Sequence, residues 1–370
     1  MNQNLKKIID FIEEIQIEGL EDRFGKNYLD EFNKLKKVLN QNGLLNFLAD
    51  NKIELTENDV KSSAFNSISE KVILTKYELP ISFSILKSLF EKIQATAENT
   101  TIKITKTPYI GTSLSKEYNA FACKVPNTND NVIIFESELF TLANLTAKLI
   151  ASCLPDFKIT KESVLFSFEV TRIKEHIKND KNLKNRFSDF IQNAIYLGEP
   201  NKTQQYFLDK TYQRLHYELL NSLELFVVAH EYGHISAGHL ENTNNVKSIT
   251  NENERSIILP DWEEEYEADE IGLFLLLNSL DKESMFPFSY LGPELFFTIL
   301  DLDERACSLY SEGKEKRILD NETHPPSFER RNKIRNLLKK NIPKNHLESY
   351  LVASKFLENI IELLWDDYKK

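Results

Sequence analysis

The chain has 370 residues, 41% of them hydrophobic and 28% charged, which is enough apolar material for one large core or two modest ones. Forty-six Lys and Arg against 57 Asp and Glu leave a net charge of −11, which argues against a nucleic-acid footprint or an anionic-membrane binder. The three cysteines, Cys123, Cys153 and Cys307, have no metal-type spacing and cannot all pair, so a reducing compartment is expected.

At the start of the chain, acids at Asp10, Glu13 and Glu14 interrupt the apolar positions, and no signal-peptide core forms. The longest apolar stretches, Leu223–Ala229 and Ile271–Leu277, fall short of the ~20 residues that a bilayer span needs. A cytoplasmic protein with no membrane span is therefore expected.

Residues 1–98 read as helical. Leu5, Ile8, Ile9, Ile12 and Ile15 recur at helical spacing, as do Leu29, Phe32, Leu35, Val38 and Leu39, and a third helix is expected over Ser82–Ala97. The period then changes. Thr101–Thr105 alternates as a strand does, Tyr118–Val125 is short and apolar, and Asn131–Phe135 contains Val132, Ile133 and Ile134. Pro126–Asp130 supplies turn chemistry between the last two, which predicts a hairpin.

Helical patterns return over Glu138–Ser152, Lys161–Ile177, Leu183–Leu197 and a long element from about Thr203 to His239. The polar, Asn-rich Asn242–Arg255 segment predicts a mobile loop. Asp261 is placed to cap a helix running to Leu280, and further helices are expected over Pro293–Ser311, Pro326–Lys340 and His346–Tyr368.

The segment that carries chemistry is His230-Glu231-Tyr232-Gly233-His234, set within an apolar helix. Residues four apart share a helix face with Cβ atoms about 6 Å apart, so two imidazoles reach one ion at the ~2.0–2.1 Å of a Zn–N bond. Glu231 then stands beside a water at that ion without ligating the metal, the arrangement of a metallopeptidase general base. The bland alternative, two histidines satisfied in a core, leaves two buried imidazoles and a carboxylate uncompensated.

A third ligand is available 31 residues beyond His234, at Glu265. Asp269, four residues later on the same face, is placed to accept the second N–H of a ligating histidine. Taken alone, the acidic Asp261–Glu267 turn would read as a helix start favoured by the dipole; beside an incomplete two-histidine site it reads as ligands. His239 is out of register with a His-Glu-x-x-His-x-x-Gly-x-x-His site, because glycine stands at 238 and histidine at 239. A three-histidine site is not expected, and His239 lies behind the ligands, faces substrate or is structural.

With these residues in place the chain resembles the gluzincin metallopeptidases, the family that includes HtpX, the Oma-type mitochondrial proteases and the Ste-type CAAX prenyl proteases. The resemblance rests on His230–His234 with Glu265-Tyr266-Glu267-Ala268-Asp269. Asn119-Ala120-Phe121-Ala122 ahead of Val132–Phe135 and Thr323-His324-Pro325-Pro326 with Arg330 also carry it. It implies an α+β, mainly α-helical fold: a zincin-like metallopeptidase core over residues 101–341, with a small mixed sheet next to the active-site helix and a helical insertion at about 138–200. The resemblance does not reach the helical N-terminal region (1–100), which is expected to regulate or read substrate, or the C-terminal helix (342–370), which is expected to pack on the core.

The resemblance also implies roles. His230, His234 and Glu265 would hold one Zn2+ per chain, with Glu231 as general base and His324 as a donor to the developing oxyanion. Asp269 and Arg330 would lie behind the ligands, with Arg330 anchoring its loop to an acid, and His239 stays open as above. Asn119, Ala120, Phe121 and Ala122 would form a strand to which an extended substrate adds. The expected partner is a protein or peptide substrate, not a nucleic acid, and no oligomeric state follows. The function expected is a zinc-dependent endopeptidase acting on a specific intracellular protein. The alternatives are an HtpX-like general quality-control protease and a non-hydrolytic zinc-binding sensor on the same fold.

Overall fold

The computed structural model describes residues 3–38, 75–104, 106–155, 157–159, 164–166, 169–241, 246–248, 256–258, 261–280, 287–316 and 324–369. In chain order these form α1 (Gln3–Phe24), α2 (Tyr28–Val38), α3 (Pro80–Glu98), β1 (Tyr109–Ser113), β2 (Ala120–Lys124), β3 (Asn131–Glu136) and α4 (Ser137–Ser152). Next come β4 (Phe157–Ile159), β5 (Val164–Phe166), α5 (Val170–Asn179), α6 (Lys181–Asp189), a π-helical turn over Phe190–Tyr196, and α7 (Lys210–Ala237). The remainder is β6 (Val246–Ser248), β7 (Ser256–Ile258), α8 (Trp262–Ser279), α9 (Gly292–Glu312), α10 (Ser327–Asn341) and α11 (Lys344–Tyr368). The described chain is thus mainly helical with a small mixed sheet, an α+β architecture. Among the described residues no helix is long and apolar enough to cross a membrane.

Packing divides the chain into two compact units, Met1–Phe140 with His234–Ile258, and Thr141–Gly233 with Leu259–Lys370. The helix α7 is continuous through the Gly233/His234 junction. In the first unit the sheet order is β1-β3-β2, with β1 parallel to β3 and β2 antiparallel to it. All of Val132–Phe135 is buried, as expected of a central strand covered on both faces. Helix α1 turns Ile8 and Ile12, one helical turn apart, into a core with Cys123, Val125, Val132 and Ile134. In the second unit α9 packs on α10, and α11 contributes the buried Tyr350, Phe356, Ile360 and Trp365.

Several expectations meet corrections. Residues 101–104 form no strand, and Thr105 lies outside the described residues. The partner of β3 is instead Tyr109–Ser113, whose burial on both faces erases the alternation that marks a half-exposed strand. The single helix expected over Lys161–Ile177 is replaced by the β4–β5 hairpin followed by α5. The long helix begins at Lys210 rather than near Thr203. Part of the expected Asn242–Arg255 loop, Val246–Ser248, is a strand paired antiparallel with Ser256–Ile258; residues 242–245 and 249–255 lie outside the described residues. The hairpin around Pro126–Asp130 is present, closed by the Val125 N–H donating to the Asp130 carbonyl at 2.8 Å.

Candidate metal centre

Two helices carry the ligand-type residues. On α7, His230, Glu231 and His234 are all buried, one helical turn separating the imidazoles. On α8, Glu265 and Asp269 occupy the same one-turn spacing and are buried to 2% exposure each. Asp261 fixes the start of α8 through a capping box: its side chain accepts from the backbone of Glu263 and Glu264, and the Glu264 carboxylate accepts from the Asp261 N–H. Glu265 is therefore one residue past the capping box, in the capped first turn of its helix.

The close approach of α7 and α8 depends on two glycines. A Cβ on Gly233 would meet the Ala268 carbonyl oxygen at 2.9 Å, and one on Gly272 would meet the His230 backbone at 3.0 Å. Each helix thus presents a bare backbone patch where the other crosses, and the side chains beside the patches face one another at short range.

Ligand-type atoms of His230, His234 and Glu265 all lie within 4.8 Å of one another. His230 Nε2 is 3.6 Å from Glu265 Oε2, close to the roughly 3.4 Å edge of a tetrahedron of ligands each ~2.0–2.1 Å from zinc. Two imidazoles and one carboxylate are also the donor set that a catalytic zinc takes. By chemistry and by spacing, the residues fit a divalent metal ion.

Behind these groups lies a charged layer. The Nδ1 of His230 is 3.0 Å from Asp269 Oδ1, which leaves Nε2 facing Glu265. Arg330, near the start of α10, donates from Nε and Nη2 to the two oxygens of Asp269 at 2.8 and 2.7 Å, and its Nη1 is 2.9 Å from Glu265 Oε2. The guanidinium rests 4.6 Å from the centroid of the Phe297 ring. Burial disfavours the protonated form of His230, but the carboxylates of Asp269 and Glu265 outweigh it and hold its pKa above the ordinary value. Burial likewise works against the Asp269 carboxylate, yet Arg330 and His230 hold its pKa below the usual carboxylate range. Arg330 stays charged.

Of the remaining candidates, His324 is half-exposed, with Nε2 3.6 Å from Glu265 Oε1. Thr323 beside it lies outside the described residues. Buried His239 sits with its Nδ1 2.9 Å from Nδ1 of His234. Asn119 precedes β2, its carbonyl accepting from Glu136 N–H, while Ala120, Phe121 and Ala122 lie in β2. That strand is an outer one, paired with β3 on one side only among the described residues.

Sequence reasoning passed over Gly272 and Phe297. A glycine inside a helix costs about 1 kcal/mol relative to alanine, so Gly272 in an otherwise apolar run was a readable sign of a close helix crossing. Phe297 carried no such sign. No family model, curated protein or solved structure matches this chain.

Proposed function

We propose that this chain is a zinc-dependent endopeptidase of the gluzincin kind, with a zincin-like core and a protein substrate. The observation that carries this reading is the buried convergence of His230, His234 and Glu265 with Glu231 on the same helix turn. His230, His234 and Glu265 would hold the zinc, which when bound supplies Lewis acidity to polarise a peptide carbonyl and to acidify water.

The chain's own residues do the rest. Glu231 takes the proton of the attacking water and returns it to the leaving amine, a general acid–base contribution of about 10²–10⁴ in rate. Asp269 Oδ1, 3.0 Å from Nδ1 of His230, would take the proton on that nitrogen and so hold the Nε2 lone pair toward the centre. Arg330 neutralises one of the two buried carboxylates and fixes the position of Glu265. His324, half-exposed beside Glu265, would donate to negative charge as it develops on the substrate oxygen. The outer strand β2 would supply backbone groups to which an extended peptide adds as a strand.

The test is metal content and turnover together. Purified protein should hold about one zinc per chain, and Glu231→Gln should keep that zinc while proteolysis falls at least a hundredfold. Proteolysis by Glu231→Gln at the wild-type rate, or wild-type protein that takes up no metal, overturns the reading. Incubation with a whole-cell lysate then separates a dedicated protease, which removes one band, from a general quality-control enzyme, which degrades unfolded proteins broadly.

A further inference from the structure

The layer behind the two histidines is not symmetrical. His230 is backed by a carboxylate, which is itself clasped by Arg330. His234 is backed by another imidazole: its Nδ1 lies 2.9 Å from Nδ1 of His239, with the ring planes inclined by 69°. Both rings are buried, at 4% exposure each.

This contact is set up by the way α7 ends. Gly238 adopts φ +79°, in the left-handed region, and its N–H donates to the Ile235 carbonyl. The chain turns back at that point, and His239–Glu241 forms a single 3-10 turn that lays His239 against the last turn of the helix. Glu241 then pairs with Lys124 at the end of β2. The glycine at 238 and the histidine at 239, one position away from a three-histidine motif, thus form a different device.

The geometry points to His239 as a positioning residue for His234: it accepts the Nδ1–H of His234 and thereby presents the Nε2 lone pair to the metal. The argument is one of proton counting. A neutral imidazole carries one proton on its two nitrogens. With Nδ1 of His234 engaged by His239, Nε2 is the nitrogen left to ligate, and its lone pair is available only when the proton sits on Nδ1. His234 must then be the donor of the 2.9 Å bond, His239 Nδ1 the acceptor, and the proton of His239 must reside on its Nε2. The opposite direction, with His239 donating, puts the proton of His234 on Nε2 and blocks ligation.

An uncharged acceptor also suits the local charge. Glu231, Glu265 and Asp269 already place three buried carboxylates around the site, and a further one behind His234 would add to that negative charge. The inference rests on the metal reading above, and its test is arranged so that the two fail separately.

The test measures zinc affinity by chelator competition, with no reference to proteolysis. His239→Asn keeps an acceptor oxygen near the place of Nδ1, whereas His239→Ala removes it. His239→Ala should weaken zinc binding about 10–100-fold, His239→Asn should stay within a few-fold of wild type, and added imidazole should restore much of the affinity of His239→Ala. If His239→Ala binds zinc as tightly as wild type, or if His239→Asn is as weak as His239→Ala, the assignment is overturned. Wild-type protein that binds no zinc overturns the metallopeptidase reading itself. Should the variants fail to fold, long-range 1H–15N spectra of zinc-loaded wild type decide the matter: the proton of His239 on Nε2 and that of His234 on Nδ1 support the assignment, and the proton of His239 on Nδ1 refutes it.

Discussion

Gly233 lies so close to Ala268 that a Cβ added to it would stand 2.9 Å from the Ala268 carbonyl oxygen and 3.1 Å from its Cα. Both atoms it would strike belong to helix backbone, which cannot swing aside as a side-chain tip can. Gly233→Ala therefore forces α7 and α8 apart by several tenths of an ångström. The expected cost is about 1–3 kcal/mol of stability, and zinc affinity should fall as well, since Glu265 withdraws with its helix. Thermal melting and chelator competition read the two effects. Gly272→Ala, whose nearest contacts stand at 3.0 Å on the His230 backbone, should act in the same direction and more mildly.

Arg330 pairs with two buried carboxylates, Asp269 and Glu265. Removing it as Arg330→Met takes the shared guanidinium away from both and should destabilise the metal-free protein by about 3–5 kcal/mol. Arg330→Lys keeps the charge but loses the paired bonds to Asp269 and the flat face on Phe297, so an intermediate loss is expected. The double variant Arg330→Met with Asp269→Leu should recover part of the stability, because it removes the charge and its partner together. Urea unfolding of the three variants measures this, and a double variant no better than the first would show that burial of Asp269 is not the cause.

The sequence made some of this visible and hid the rest for identifiable reasons. The helices carrying the site were legible because α7 and α8 combine an apolar run with recognisable punctuation: Asp261 followed three residues later by Glu264 is a capping signature that the structure uses in full. The β2–β3 hairpin was legible from Pro126–Asp130. The strand β1 was not, because Gly111 sits within it and both of its faces are covered, while the alternation of Thr101–Thr105 leads to no strand over residues 101–104. Alternation reports one-sided exposure, and neither segment has the environment its pattern suggests. The Arg330–Asp269 pair spans 61 residues, a separation at which periodicity says nothing. The His234–His239 contact depends on a left-handed turn at Gly238, which changes where the next side chain points without changing any pattern.

The cap at Asp261 gives a milder prediction. Its carboxylate accepts from the Glu263 and Glu264 backbone at 3.0 and 2.9 Å, so Asp261→Ala should cost about 1 kcal/mol. Since Glu265 lies in the same turn, fraying there should also weaken zinc binding a few-fold. Asp261→Ser, which retains an acceptor, should recover most of both. Equal losses in the two variants would mean that the side-chain cap is not what holds this turn.

In the first unit, Glu78 is fully buried beneath β1, where its carboxyl accepts from the Gln16 side chain at 2.9 Å, from the Thr112 N–H at 3.0 Å and from the Thr112 hydroxyl. Burial nevertheless pushes its pKa up from 4.5 to about 7. Glu136, buried at the end of β3 and accepting from Ser115 N–H at 2.8 Å, is raised to about 7 by the same cause. Below pH 4.5 each group is protonated in both the folded and the unfolded chain and contributes nothing. Between pH 4.5 and about 7 the folded chain keeps the proton that the unfolded chain has released, so stability falls as pH rises, by up to about 3 kcal/mol for each group. Above that range the penalty is constant. Hydrogen-exchange protection of the Tyr109–Ser113 and Asn131–Glu136 amides should therefore weaken on going from pH 5 to pH 7.5, after correction for the intrinsic rate. Glu78→Gln, which cannot ionise and still offers an acceptor to Thr112, should flatten about half of that slope. A Glu78→Gln profile parallel to wild type would show that this carboxyl releases its proton over the same pH range in the folded and the unfolded chain, so that burial does not raise its pKa.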